Sequence, residues 1–269
     1  MTNKLVFLKL GGSLITEKSR EATARKDVIT RLAAELADIH RSNPNLRLLL
    51  GHGSGSFGHV PAKKYNTRTG VHTPEEWQGF IEVWQQAGAL HHIVMDALLV
   101  VGLHAIGFPP SASVSAADGR ISTWNLEPIQ SALDANILPV VFGDVAFDST
   151  RGGTILSTED LFVHLAAPLR PARILLAGDE DGVYTDFEAH SEIIPEITSS
   201  SDLSHIFEAA TVADVTGGMA GKVQAMLNLA NQQADCEVRI FSGLVPGNLA
   251  RALSGEPLGT LIHADSPLR

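Results

Sequence analysis

Glycines alternate with histidine and serine in Gly51-His52-Gly53-Ser54-Gly55-Ser56-Phe57-Gly58-His59, directly after the apolar run Leu46 to Leu50. Glycine has no Cβ, so this backbone can turn tightly and bring successive N–H groups close to an anion. Ser54 and Ser56 add hydroxyl donors, and His52 and His59 bracket the stretch. A strand that feeds such a loop and then a helix is an anion site, because the helix start leaves N–H groups unpaired. Related groups recur along the chain. Lys9, Gly11, Gly12 and Ser13 are followed by Lys18. Further on come Gly143-Asp144, then Asp179-Glu180-Asp181-Gly182, then Gly217-Gly218-Met219-Ala220-Gly221-Lys222.

Taken singly, these groups are ambiguous. Gly53 to Gly58 matches the dinucleotide fingerprint G-x-G-x-x-G, which also needs an acid ending a second strand about 20 residues on. Here that distance falls at Glu75-Glu76, at a helix start. Gly221-Lys222 ends like a phosphate loop, but Thr216 and Val223 stand where its first glycine and last hydroxyl belong. Lys222 behind three glycines can reach a phosphate; a solvated lysine is the plain alternative. Asp179 and Asp181 suit a metal, a ribose hydroxyl or an Asx turn before Gly182, and Asp144 is equally open. The eleven histidines form no metal motif: His91 and His92 are adjacent, so on a helix they face different ways.

These groups sit on alternating strands and helices. Leu5 to Leu10, Leu46 to Leu50, Leu103 to Phe108, Ile137 to Phe142, Arg173 to Ala177, Cys236 to Phe241 and Gly259 to His263 read as strands. Helices are expected over Asp27 to His40, Asn125 to Ala135, Glu159 to Ala167 with Thr158 as cap, from Lys222 through Gln233, and over Asn248 to Leu253. Thr73 caps a longer helix from Pro74, and its pattern of Trp77, Phe80, Ile81, Trp84, Leu90, Val94 and Leu98 implies about seven turns, with a kink expected near Gly88. Phe147 to Ile155 reads as a hairpin tip. The alternation implies a mostly parallel sheet covered on both faces, with ligands beyond the carboxyl ends of its strands. Every glycine-rich group above falls there.

Composition narrows the chemistry. The chain has 269 residues, 44% hydrophobic and 19% charged, with a formal charge of −10. That balance argues against a nucleic-acid partner, so any anion is held by a few local cations and backbone amides. Cys236 is the single cysteine, which excludes an internal disulfide and a cysteine zinc site. No membrane segment or targeting sequence stands out, and the expectation is a cytoplasmic protein.

In combination, Lys9-Leu10-Gly11-Gly12-Ser13, Gly143-Asp144, Asp179 to Tyr184, and Asp214-Val215-Thr216-Gly217-Gly218-Met219 with Lys222 resemble the amino acid kinase family, in that family's order and over nearly the whole chain. Lys9 to Thr16 with Lys18, and Gly53 to His59 followed by Val60 to Tyr65, resemble the branch of the family whose acceptor is isopentenyl phosphate. A histidine after Ser-Phe-Gly distinguishes that branch. Ser54 and Gly178 depart from its pattern, where glycine and a hydroxyl residue are usual.

The resemblance implies one α/β domain over residues 1–269, an open αβα sandwich with a mostly parallel central sheet. Its N-terminal lobe, about 1–170, would take the phosphoryl acceptor and its C-terminal lobe, about 171–269, ATP with Mg2+. The implied reaction converts isopentenyl phosphate and ATP to isopentenyl diphosphate and ADP, and the implied assembly is a homodimer. Lys9, Lys18 and Lys222 would contact the ATP phosphates, with Gly11, Gly12, Ser13, Gly55, Asp179 and Gly218 in the nucleotide site. His59, Ser54, Gly55 and Gly143 would hold the acceptor phosphate, and Asp144 would orient the lysines.

Such residues suit phosphoryl transfer to a phosphate. A monoester with a second pKa near 6 is already largely ionised at neutral pH, so the task is to bring two anions together in line. Phe80, Ile81, Val83 and Trp84 on the long helix are expected to supply an apolar slot for the isoprenoid tail. Rival readings are a kinase of another phosphate or phosphonate such as fosfomycin, a dinucleotide-dependent oxidoreductase and a non-catalytic nucleotide sensor.

Overall fold

The computed structural model describes residues 4–186, 191–203 and 218–265. Its strands in chain order are β1 (Val6–Leu10), β2 (Leu48–His52), β3 (Ala105–Gly107), β4 (Val114–Ala117), β5 (Arg120–Trp124), β6 (Leu138–Phe142), β7 (Asp144–Asp148), β8 (Gly152–Leu156), β9 (Arg173–Gly178), β10 (Glu196–Ile197), β11 (Glu237–Ser242) and β12 (Thr260–Ile262). The helices are α1 (Gly12–Ile15), α2 (Lys26–Ser42), α3 (Gly55–Tyr65), α4 (Pro74–Val100), α5 (Pro110–Ser113), α6 (Glu127–Asp134), α7 (Thr158–Leu169), α8 (Gly218–Gln232) and α9 (Asn248–Ser254).

Eight strands form the central sheet in the order β10-β12-β11-β9-β1-β2-β6-β3. Its pairs are parallel except β11 with β12. Strand β1 shows why both faces are buried. Val6, Leu8 and Leu10 point into a core shared with α2, α4 and α9, while Phe7 points into the other, shared with α6, α7 and α8. A strand clothed on both sides reads as continuously apolar, which is how it stands out in the sequence. Phe7 meets Phe162 of α7 with ring centroids 5.1 Å apart.

A second sheet, ordered β5-β4-β7-β8, went unread in the sequence beyond its β7–β8 hairpin. Its β4–β5 hairpin turns at Asp118-Gly119, both with positive φ, the pair that a tight primed turn requires.

Two helix expectations change. The long helix α4 runs unbroken through Gly88, where a kink was expected, from a capping box in which Glu76 N–H donates to Thr73 Oγ1 and Thr73 N–H to the Glu76 carboxylate. Helix α7 is capped by Ser157, not Thr158. The Thr158 hydroxyl instead donates to the His52 carbonyl at 2.6 Å, tying α7 to the end of β2. Among the described residues no helix is long and apolar enough to cross a membrane.

Candidate active site

Parallel pairing of β1 with β2 sets Lys9 beside Gly51 and Leu10 beside His52, so the segments that follow both strands leave the sheet together. They touch backbone to backbone. A Cβ on Gly12 would lie 2.5 Å from Gly55 N, and one on Gly53 would lie 2.7 Å from Gly12 N. Gly55 has φ +48°, and a Cβ there would lie 2.1 Å from Thr16 Oγ1. That hydroxyl donates to Gly12 O (2.7 Å) and accepts from Ser56 N–H (3.0 Å), clamping the two segments. Two glycine motifs far apart in sequence are therefore one unit.

The loop read from Gly51 to His59 is mostly not a loop. Strand β2 continues through His52 and α3 begins at Gly55, leaving Gly53-Ser54 between them. His59 lies in the second turn of α3 and lines the cleft below, so it does not close a loop. Ser54 has φ −82°, a conformation any residue adopts, and its side chain fills the space that a Cβ on Gly58 would need. That accounts for serine where the family usually has glycine. Glu76 is spent on the α4 cap, so the dinucleotide fingerprint lacks the acid it needs at the end of a second strand.

A cleft of about 640 Å³ opens beyond these strand ends. That is within the range of small-molecule sites, roughly 300–1,000 Å³. Its walls include Gly11 to Ser13, Gly53 to Ser56, His59, Gly143, the start of α7 and the start of α8.

Lys9, Lys18 and Lys222 all line it, from a strand, a turn and a helix. Lys9, buried near the end of β1, is ion-paired with Glu159 in the first turn of α7. Burial pushes the Glu159 carboxyl up, but the charge of Lys9, then that of Lys222, and a hydrogen bond from Lys9 hold it below its usual value. Burial lowers the Lys222 ammonium, and the like charge of Lys9 lowers it further against the pull of Glu159. Exposed Lys18 pairs with Asp179 Oδ2 at 2.9 Å, and Ser13 Oγ donates to Asp179 Oδ1 at 2.5 Å. Burial acts to raise Asp179, and these two hydrogen bonds with the Lys18 charge bring it down.

Among the described residues Asp144, expected to orient the lysines, forms no ion pair with any of them. It is the first residue of β7, buried, accepts from Ser111 N–H at 3.3 Å, and carries an oxygen with no hydrogen-bond partner among the described residues. Burial raises its carboxyl above the usual range. Glu159 occupies the place expected for Asp144. In the sequence it reads only as an acid complementing a helix dipole, which is why it was missed.

A histidine pair lies at the end of β2. His52, fully buried, has Nδ1 3.1 Å from the Gly53 carbonyl and Nε2 3.0 Å from His91 Nδ1. A carbonyl only accepts, so His52 Nδ1 carries the proton and Nε2 accepts from His91. Both rings stack on Phe142, that of His91 at 4.1 Å.

Phe80, Ile81, Val83 and Trp84 do not line the cleft. Phe80 and Val83 pack with Val71, Val145 and Ile155, while Ile81 and Trp84 are exposed on the outer face of α4. The apolar wall comes from Val60, Ile155 and Leu156. Asp214 to Gly217 lies outside the described residues, whereas Gly218 and Lys222 are in α8 at the cleft.

A parallel sheet clothed on both faces, with glycine segments and three lysines at its strand ends, defines a phosphate-handling α/β protein. The chain belongs to the amino acid kinase family, which it matches over residues 4–242. The isopentenyl phosphate kinase of Methanothermobacter thermautotrophicus is 37% identical to it, across 96% of this chain and 98% of that one. That of Haloferax volcanii is 33% identical across 97% and 99%. Among solved structures, one described as X-ray structures of isopentenyl phosphate kinase superposes with a TM-score of 0.82 at 33% identity, covering 96% and 99%. The product complex of the T. acidophilum isopentenyl phosphate kinase gives 0.78 at 26%, covering 96% and 100%.

Proposed function

We propose that this chain transfers the terminal phosphoryl group of ATP to isopentenyl phosphate, giving isopentenyl diphosphate and ADP. The observation that carries this reading is the cleft itself: three lysines share it with His59, and joined glycine segments form its floor. The similarity to isopentenyl phosphate kinases over the full length of both chains supports the choice of acceptor.

An oxygen of the acceptor phosphate attacks the terminal phosphorus of ATP, the bond from that phosphorus to the bridging oxygen breaks, and ADP leaves. The attacking oxygen is already ionised, so no base is needed. What the protein supplies is position and charge. Lys9, Lys18 and Lys222 take the ATP phosphates, together with Gly11, Gly12, Ser13, Gly55, Asp179 and Gly218. His59, Ser54, Gly55 and Gly143 hold the acceptor phosphate, with the His59 ring as donor. Glu159 pairs with Lys9 and its charge works against the lowering of Lys222 by burial. It takes the part first given to Asp144.

In this reading residues 1–170 supply the acceptor half of the cleft and 171–269 the nucleotide half; Asp179, Gly218 and Lys222 on the second part support that division. Magnesium would come with ATP, with Asp144 and Asp179 as its candidate carboxylates from the sequence. Among the described residues no group of three potential ligands could hold a metal, and the cleft's Glu159 and Asp179 are engaged with lysines. With Asp179 engaged and Asp144 buried, the ATP phosphates would supply its ligands and the metal would offset their charge. A homodimer in the cytoplasm completes the reading, with exposed Leu99, Val100 and Ile106 as an apolar face for the second copy and a buried lone thiol that suits a reducing compartment.

The test is a purified-enzyme assay with ATP and a panel of isopentenyl phosphate, dimethylallyl phosphate and fosfomycin. Isopentenyl phosphate is expected to have the highest kcat/KM. Preference for fosfomycin, or no ADP release with either prenyl phosphate, overturns the proposal.

A further inference from the structure

Arg68 follows α3 in a turn and lines the cleft alongside His59, Val60 and Ile155. Nothing above gives it a task. Its backbone is fixed to the β7–β8 hairpin, since the Arg68 carbonyl accepts from Thr154 Oγ1 at 3.1 Å and from Arg151 Nη1 at 3.3 Å. Its guanidinium reaches across to Asp160, with Nη2 3.2 Å from Oδ2. That carboxylate oxygen is already in use. It accepts from Ser157 N–H and Ser157 Oγ, both at 2.8 Å, as the cap of α7. Arg68 is thus the third and longest donor on one oxygen. Its Nη1 is buried and has no hydrogen-bond partner among the described residues.

A buried N–H without an acceptor is costly, and a guanidinium with one edge on a carboxylate and another unused is built to take a second oxyanion. The charges in the cleft show which anion that is. The three lysines belong to the nucleotide phosphates in the reading above, leaving the acceptor, a monoester with nearly two negative charges at neutral pH, without a lysine or arginine among its assigned partners. Consecutive acids at the start of α7 divide the work: Glu159 holds Lys9 and Asp160 holds Arg68. One cation is thereby set toward the donor and one toward the acceptor.

We propose that Arg68 is an acceptor-binding residue, donating from Nη1 to a non-transferring oxygen of the substrate monophosphate while Asp160 holds its other edge. This rests on the functional reading above, in that the His59 side is taken as the acceptor side. Arg68 offsets charge that otherwise repels the incoming ATP, and its planar fork discriminates against a carboxylate-bearing acceptor too short to reach it.

Arg68→Met removes the charge at similar length, and Arg68→Lys keeps the charge without the fork. Initial rates with isopentenyl phosphate and ATP varied separately are expected to show KM for isopentenyl phosphate raised at least about tenfold in R68M and less in R68K, as loss of a charge-assisted bond to a buried anion implies. KM for ATP stays within about twofold, and the melting temperature stays near wild type because the Asp160 pair is partly exposed. An unchanged KM for isopentenyl phosphate in R68M, or an equal rise in both KM values, overturns the proposal. Ser157→Ala separates packing from binding, because it loosens the α7 cap while leaving Arg68 on Asp160: if R68M acts only through the cap, S157A reproduces its kinetics. If the wild-type enzyme ignores isopentenyl phosphate, the functional reading has failed rather than this inference. Calorimetric binding of inorganic phosphate then decides, and equal affinity in wild type and R68M overturns the role of Arg68.

Discussion

The Lys9–Glu159 ion pair stands above a tilted ring contact between Phe7 and Phe162, on the same strand and the same helix. Lys9 lies two residues beyond Phe7, on the same face of β1, and Glu159 lies one helical turn before Phe162 on α7. A strand advances about 6.6 Å in two residues and a helix about 4.5 Å in three, so one aromatic contact in the core places the two charges at the cleft floor. Packing positions the chemistry here, and the pair is the most direct place to test that.

Glu159→Gln removes the charge and keeps the shape. Lys9 then loses its ion-pair partner and Lys222 the pull of that charge, and kcat is expected to fall about 100-fold, as for loss of one preorganised electrostatic group. Breaking a buried pair also lowers stability, by about 3 kcal/mol in urea unfolding. Asp144→Asn, at the carboxylate that touches no lysine, is expected to keep kcat within about threefold. If D144N loses more activity than E159Q, Asp144 rather than Glu159 organises the lysines.

His59 projects from α3 into the cleft, and a donor at that point has work only if the acceptor bears an anion. His59→Asn is expected to lower kcat/KM for isopentenyl phosphate about 100-fold or more while KM for ATP moves less than about twofold. Near-normal turnover by H59N removes His59 from the acceptor site.

Much of this arrangement was legible because burial on both faces makes parallel strands read as apolar runs, and because Gly11-Gly12, Gly53 to Gly58 and Gly143 mark their carboxyl ends. The junction after β1 was found to the residue, whereas β2 runs two residues further than expected and α3 takes up most of the glycine stretch. The contact between Gly12 and Gly55 was not legible, since it depends on which strands are neighbours. Glu159 hid among ordinary helix-start acids, and Arg68 among surface charges, because their partners are far off in sequence. The α4 residues Phe80 and Val83 misled for a related reason. A helix stripe reports burial, and it does not say whether a core or a cleft lies opposite.

The His52–His91 pair makes a pH prediction. Burial lowers His52 to about 4; its bond to the Gly53 carbonyl works upward and the Lys9 charge adds a smaller downward push. Burial, then the His52 and His92 rings, lower His91 to about 3. Both folded values lie below the unfolded value of 6.5, so the pair's contribution to stability is fully present above pH 6.5. It is lost as pH falls from 6.5 toward 4 and then 3, because the unfolded imidazoles gain protons that the folded ones refuse. For fully buried His52 the loss is on the order of 3 kcal/mol. Urea midpoints across pH 7.5 to 4.5 are expected to fall steeply in the wild type and more shallowly in His52→Gln. Parallel curves for the two proteins exclude the pair as the source.

Gly55 tests whether the two glycine segments are one unit. Its φ of +48° disfavours any side chain, and an added Cβ would press on Thr16 Oγ1 and, at 2.7 Å, on the Gly12 carbonyl. Left-handed strain of about 1–2 kcal/mol and overpacking of about 1–3 kcal/mol together put the cost of Gly55→Ala at about 2–5 kcal/mol. The damage should pass to the partner segment, because Thr16 Oγ1 links Gly12 O to Ser56 N–H. ATP binding by G55A is therefore expected to weaken even though Gly11 to Ser13 are unchanged. In G55A/T16A one clash is relieved and one clamp is lost, so the two changes are non-additive, with a coupling of about 1 kcal/mol in unfolding experiments. Simple additivity, with ATP affinity unaltered in G55A, means that the segments move independently and that the cleft floor is assembled by something other than their contact.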